Sequence, residues 1–233
     1  MAATDALDAA LSAAAYLDIR RNPFVAAVVE GRCSRDAIRR YAIAVFALSD
    51  QFPGRLAATA AICDDPDVRL SLLENLLEEE GITRLEGGHL IREDAKRHAS
   101  VARRFAVAAG ASEEELAAAS AHERDTATWL HEAIASRRAA AALAYLTIGI
   151  EGSVPATLTL IAAALSQHYG FRDDDLAFLT SHVALDEGHG ASGVRMTARL
   201  VRSDADRADA IEGARRGALA WWWFHRSMLG AER

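Results

Sequence analysis

An all-α fold is predicted by three features of the sequence. Half the residues, 51%, are hydrophobic, dominated by Ala and Leu, while aromatics make up 6% and there are 15 Gly and only 4 Pro. Ala and Leu are strong helix formers, and Pro is the residue a helix interior tolerates least. Apolar residues also recur at helical spacing, as in Ile38, Tyr41, Ala42, Val45, Phe46 and Leu48. Finally, such runs begin at residues whose side chains can cap a helix, among them Ser34, Ser112 and Ser203.

The elements follow in order. Residues 4 to 17 read as a short Ala-rich helix. Asn22-Pro23-Phe24 breaks the chain and places Pro at the first position of a helix reaching Glu30. After the turn Gly31-Arg32-Cys33, Ser34 caps a long helix, kinked by Pro53, that ends near Cys63. Asp64-Asp65-Pro66-Asp67 starts the next, which carries Leu70, Leu73, Leu76 and Leu77 to Glu78-Glu79-Glu80-Gly81. Gly81 to Gly88 is a loop, and His89 opens a helix to about Ala109. Ser112 with Glu115 forms a capping box for a helix to about Ala135. A long apolar helix, Ala139 to Gln167, contains Glu151 and Pro155 and ends at Tyr169-Gly170. Asp173 to Val201 is a further long helix, and Ser203-Asp204 caps the last, which contains Trp221-Trp222-Trp223-Phe224. With no repeat, linker or shift in composition, residues 1–233 read as one domain.

Charge and composition exclude several classes. The net charge is −7 and no Lys/Arg-rich run occurs, which argues against nucleic acid or an anionic membrane as partner. The early acids Asp5 and Asp8 do not fit a signal peptide. The longest apolar stretch, Ala139 to Leu165, is interrupted by Glu151, Ser153 and Pro155, so no membrane span is expected. Two cysteines, Cys33 and Cys63, do not make a disulfide framework, and a cytoplasmic protein is expected.

The chemistry concentrates in Ser181–His189. On a helix, which advances about 100° per residue, His182, Asp186 and His189 fall on one stripe roughly 60° wide. Two imidazoles and a carboxylate on one face suit a non-haem metal, although a solvated polar stripe would share the spacing. Glu151 is a lone acid among Leu146, Ile148, Ile150 and Val154, where a carboxylate needs a partner or a metal. Pro155 withholds the N–H that the Glu151 carbonyl would accept in a regular helix. His89, after a glycine pair, is a third candidate imidazole. Its carboxylate partner is open: Glu86 precedes it by three residues, mirroring Asp186 and His189, while Glu79 continues the apolar stripe of Leu72 and Leu76.

These residues resemble the haem-oxygenase-like diiron oxidases and oxygenases, relatives of the pyrroloquinoline-quinone-synthase and thiaminase-type helical proteins. Asn22-Pro23-Phe24, Gly31, Ser34 and Phe46 are similar to the family's opening, and Asn75–Gly81 to its Asn-Leu-x-acid-Glu-x-Gly segment. The His-x-x-x-Asp-x-x-His triplet with an upstream Glu carries the most specificity. The resemblance implies a haem-oxygenase-like bundle of seven to eight helices, and a homodimer. It implies two Fe(II) per chain held by Glu79, His89, Glu151, His182, Asp186 and His189. The implied activity is that of an O₂-activating non-haem diiron oxidase or oxygenase on an amino-acid, amine or fatty-acid-like small molecule.

Departures from neighbouring subgroups sharpen the reading. The metal-free quinone synthase has a His where this chain has Glu79; thiaminase-type members use a later Cys, and none follows Cys63. Members that sacrifice a residue to make aminobenzoate carry Tyr before the middle Glu, where this chain has Ile150. Haem oxygenases need an early axial His, and the first here is His89. The rival classes are a metal-independent oxidase and a non-catalytic helical interaction protein that uses Trp221–Phe224 as its contact face.

Overall fold

A computed structural model describes residues 17–84, 88–123 and 127–230; for Arg84 and residues 184–190 it describes the backbone alone. The helix expected over 4 to 17 therefore falls almost wholly outside the described residues. The remaining architecture is all-α, with one small hairpin. After a 3₁₀ turn at Ile19–Arg21 come α1 (Pro23–Val29), α2 (Arg35–Ile62) and α3 (Pro66–Glu79). The strands β1 (Ile82–Arg84) and β2 (Leu90–Arg92) pair antiparallel, Thr83 opposite Ile91. Next are α4 (His98–Ala108), α5 (Glu113–Glu123), α6 (Thr128–Ala135) and α7 (Ala139–Ala144). A π turn (Tyr145–Ile150) and a 3₁₀ turn (Glu151–Ser153) lead into α8 (Val154–Tyr169), followed by α9 (Ala177–Leu200) and α10 (Asp204–Arg226).

The helix starts follow from local chemistry. Asn22 accepts from the Phe24 N–H at 3.0 Å, with Pro23 in the first turn, and its own Nδ2 donates to the Trp222 carbonyl at 2.9 Å. One fully buried amide thus caps α1 and fastens it to α10. Ser34 caps α2, Asp65 caps α3 and Ser203 caps α10. Ser112 and Glu115 form the expected reciprocal box: the Glu115 N–H donates to Ser112 Oγ, and the Ser112 N–H to Glu115 Oε2. Gly170, at φ 74°, ends α8 in the left-handed conformation that costs glycine least.

Four sequence expectations change. The segment opened by His89 is β2 rather than helix, and α4 starts at His98. Leu90 and Ile91 are exposed, so no apolar face was there to fold a helix against the core. The helix expected from Ser112 to Ala135 is two helices, α5 and α6. The helix expected over Asp173 to Val201 begins at Ala177, after a turn. Lastly, Ala139–Tyr169 is long and apolar enough, by length and hydropathy, to cross a membrane, which the sequence reading had denied. In this fold 61% of its most apolar stretch is buried inside the protein, as in a core helix.

That central segment packs closely on α10 and α9. A Cβ on Gly217 would stand 2.2 Å from the Tyr145 carbonyl oxygen, and one on Gly213 2.1 Å from that of Ala141. Gly149 lies against Gly217 in the same seam. On the other side, Gly193 of α9 leaves room for the Thr147 side chain. Helix α2 packs on α3, α4 and α5 and completes the enclosure.

Candidate metal centre

Glu79 closes α3, and the chain must then return to bring α4 beside it. Gly81 makes this possible: at φ 65°, its missing Cβ would lie 2.6 Å from the Arg97 nitrogen and 2.7 Å from the Glu93 carbonyl. The Gly81 carbonyl accepts from the Glu93 N–H at 2.8 Å, tying the base of the hairpin. Arg97 then donates to Glu80 at 3.1 Å and to Asp50 of α2 at 3.2 Å. Residues 80 and 97 are clasped, so their neighbours Glu79 and His98 are held side by side.

Three buried groups meet there. Glu79 is 6% exposed, His98 6% and His182 8%. Glu79 Oε2 lies 2.8 Å from His98 Nδ1, which lies 3.1 Å from His182 Nε2. All three ligand-type atoms fall within 4.8 Å of one another. His182 Nδ1 is 2.8 Å from the Phe178 carbonyl, an obligatory acceptor, so Nδ1 carries the proton. The neutral ring then turns the Nε2 lone pair toward the cluster, the arrangement metal-binding histidines use.

The spacing fits a cation. His98 Nδ1 has one proton or one lone pair to offer, and two short contacts to serve. Ligands at right angles around a divalent first-row ion, each about 2.1 Å from it, stand about 3 Å apart. The two measured edges have that length. An imidazole, imidazole and carboxylate set suits iron among other divalent metals.

Glu151 approaches from the broken helix. The Glu151 N–H reaches back to the Leu146 carbonyl, five residues earlier, and the Val154 N–H takes the Glu151 carbonyl. This is the consequence expected of Pro155, with the adjustment made as a π turn followed by a 3₁₀ turn. The carboxylate is 3% exposed, and its Oε1 accepts from Asn75 Nδ2 at 2.9 Å. Asn75 lies one turn before Glu79 on α3, so one helix face serves both acids. Glu79, Glu151 and His182 line a common cavity of about 60 Å³, otherwise walled mainly by apolar side chains such as Phe52, Phe178 and Trp221.

The sequence-predicted residues thus divide. Glu79 and His182 are brought together, and Glu151 borders the same cavity. His89 is not: it is exposed beside β2, and His98 stands beside Glu79 in its stead. This corrects the expectation for His89. The signal was available: His98, Ala99, Ala102, Phe105 and Ala106 form the buried stripe of α4, whereas His89 is followed by exposed Leu90 and Ile91. Helix α9 runs unbroken from 182 to 189, but the side chains of Asp186 and His189 lie outside the described residues, as does Glu86. Arg40, a conceivable carboxylate anchor, instead donates to the Met228 carbonyl at 3.1 and 2.9 Å, and Arg195 is exposed.

A family model described as iron-containing redox enzyme matches residues 39–222, most of the chain and every buried ligand-type residue named above. The chain belongs to that family. Its fold is haem-oxygenase-like, in keeping with the structural neighbours. A TenA homologue from Pseudomonas syringae superposes with a TM-score of 0.72 at 16% identity, covering 97% of this chain and 91% of its own. A domain with a haem-oxygenase-like fold from Shewanella denitrificans gives 0.67 at 14% identity, covering 97% and 88%. Among curated proteins, the 4-aminobenzoate synthase of Chlamydia muridarum is 26% identical over 229 residues, 97% of this chain and 89% of the relative. That of Chlamydia pneumoniae is 26% identical over 208 residues, covering 87% and 85%. As an iron-containing redox enzyme, this protein is an oxidoreductase whose buried Glu79–His98–His182 cluster has the donor chemistry iron requires.

Proposed function

We propose that this protein is an O₂-activating non-haem diiron oxidase or oxygenase acting on a small molecule. The observation that carries the reading is the convergence of Glu79 Oε2, His98 Nδ1 and His182 Nε2 at the edge of an apolar cavity. Glu79, His98 and His182 would hold one Fe(II), and Glu151 with Asp186 and His189 a second. Iron, when bound, supplies electrons and open coordination positions for O₂.

The chain's own residues do the rest. Phe178 fixes the His182 tautomer. Asn75 steers Glu151 by holding one of its oxygens. The apolar wall keeps bulk water from the reacting centre and strengthens every charge interaction inside it. The 4-aminobenzoate synthase relatives support an aromatic amine or amino acid as the reacting class. Ile150, where aminobenzoate-forming members carry Tyr, argues for an external substrate rather than the protein's own side chain. A homodimer in the cytoplasm is the proposed setting.

The Glu79–His98 contact at 2.8 Å would also hold as an ion pair without metal, as in a metal-independent oxidase. Iron analysis separates the two. Protein loaded anaerobically with Fe(II) and desalted should carry close to two iron atoms per chain. His98→Ala and His182→Ala should each lose at least half of it with helical content unchanged, whereas His89→Ala should keep all. Full iron in His98→Ala, or none in the wild type, refutes the proposal.

A further inference from the structure

A second cavity lies behind the first. It measures about 440 Å³ and shares Leu48, Ile150 and Trp221 with the inner one, so these three side chains are the wall between them. Trp221 is fixed, because its Nε1 donates to Thr157 Oγ1 at 3.0 Å. Leu48 and Ile150 are apolar and carry no such bond. The outer cavity reaches the surface beside His122 and the 62% exposed Trp223.

Arg55 lines this outer cavity and is only 7% exposed. Its Nη2 donates to the Glu123 carbonyl at 3.1 Å and to Glu123 Oε1 at 2.7 Å. Its Nε and Nη1 hydrogens donate to no group among the described residues. A guanidinium this sheltered is costly unless its donors are matched, and those facing a cavity can be matched by a ligand. Among the described residues, the wall of the inner cavity holds no Lys or Arg. Arg55 therefore offers a ligand's anionic end a protein counter-charge in the outer cavity, apart from any metal at the cluster. Leu48 and Arg55 are seven residues apart on α2, about 10 Å along its axis, so a small molecule can reach both.

We propose that the outer cavity is a carboxylate-binding site built on Arg55, which makes the substrate a small aliphatic or aromatic acid whose apolar end passes Leu48 and Ile150 toward the cluster. Arg55 is then the residue that sets substrate orientation. Only the identity of the inward end rests on the Glu79–His98–His182 cluster being the iron site.

The test is calorimetric titration of the iron-loaded full chain with benzoate and hexanoate, and with their neutral counterparts benzamide and hexanamide. The acids should bind at least tenfold more tightly than the amides. Arg55→Met should weaken both acids about tenfold and leave the amides unchanged, and Glu123→Gln, which removes a competing charge, should leave acid binding as tight or tighter. Leu48→Trp, which fills the wall, should weaken all four. Equal affinity for acids and amides, no binding by any of the four, or an Arg55→Met loss shared equally by acids and amides overturns the proposal. Iron content is measured on every variant; normal iron with failed binding removes this site and leaves the iron reading standing.

Discussion

His182 and His225 use the same local device for opposite ends. Each ring donates Nδ1–H to the carbonyl four residues back, Phe178 at 2.8 Å and Trp221 at 2.9 Å. His182 Nε2 then faces Glu79 and His98, but His225 sits in a cage of Phe24, Tyr41, Trp221 and Phe224 and is fully buried. Desolvation there lowers the His225 pKa to about 4. The neutral ring is the folded form, while the unfolded chain takes up a proton near the ordinary value of about 6.5. Below that pH the unfolded state binds more protons, so stability falls as pH drops from 6.5 toward 4 and then levels off. The loss is on the order of 3 kcal/mol. Urea denaturation of chelated protein at pH 7 and pH 5 should show about 2 kcal/mol of it, and His225→Phe should reduce that difference. At this scale the sequence was readable where an acid stood among apolar neighbours, as at Glu151. It was not where the argument needed a ring's partner, since no local pattern says which carbonyl or carboxylate a histidine will meet.

The elements were legible where capping chemistry and periodicity agreed. Asn22, Ser34, Ser112 and Ser203 each open a helix as their side chains require. The hairpin was not, because three-residue strands are too short to show alternation, and the glycines around them read equally well as a plain loop. Its insertion moved the start of α4 to His98 and with it the identity of a ligand-type histidine. Nor does spacing reveal the seam between α10 and the central segment, because Gly213 and Gly217 matter through what lies opposite. Gly217→Ala would drive a methyl into the Tyr145 carbonyl. Since that obstacle is backbone in a packed core, the variant should lose about 1–3 kcal/mol, read as a lower denaturation midpoint with an unchanged slope. An equal midpoint would mean that the seam is looser than drawn.

Across the whole molecule, the cluster joins points far apart in sequence: 79, 98 and 182, with 151 beside them. Their union exists only in the folded chain, so any metal that binds it must favour folding. At one hundred times its Kd, Fe(II) should add about 2.7 kcal/mol, a rise in Tm of roughly 5–10 °C for a chain of this size. Scanning calorimetry under nitrogen should show this rise in the wild type and lose it in Glu79→Gln. The family and fold were readable at this scale, since both rest on many residues at once. The approach of α4 to α3 was not, because it depends on Gly81 meeting the Arg97 backbone across the hairpin.

The π turn before Glu151 is also a shift of register. A π turn is an α-helix with one residue too many, lodged where it cannot be absorbed. Every residue after it is rotated by about 100° from the direction an uninterrupted helix would give it. Glu151 therefore points into the cavity by virtue of a surplus residue between 145 and 150. Removing one residue there would turn the acid by about 100° and swing it away from its neighbours. The insertion is thus the local device by which a helix of ordinary register delivers a carboxylate that its own periodicity would send elsewhere.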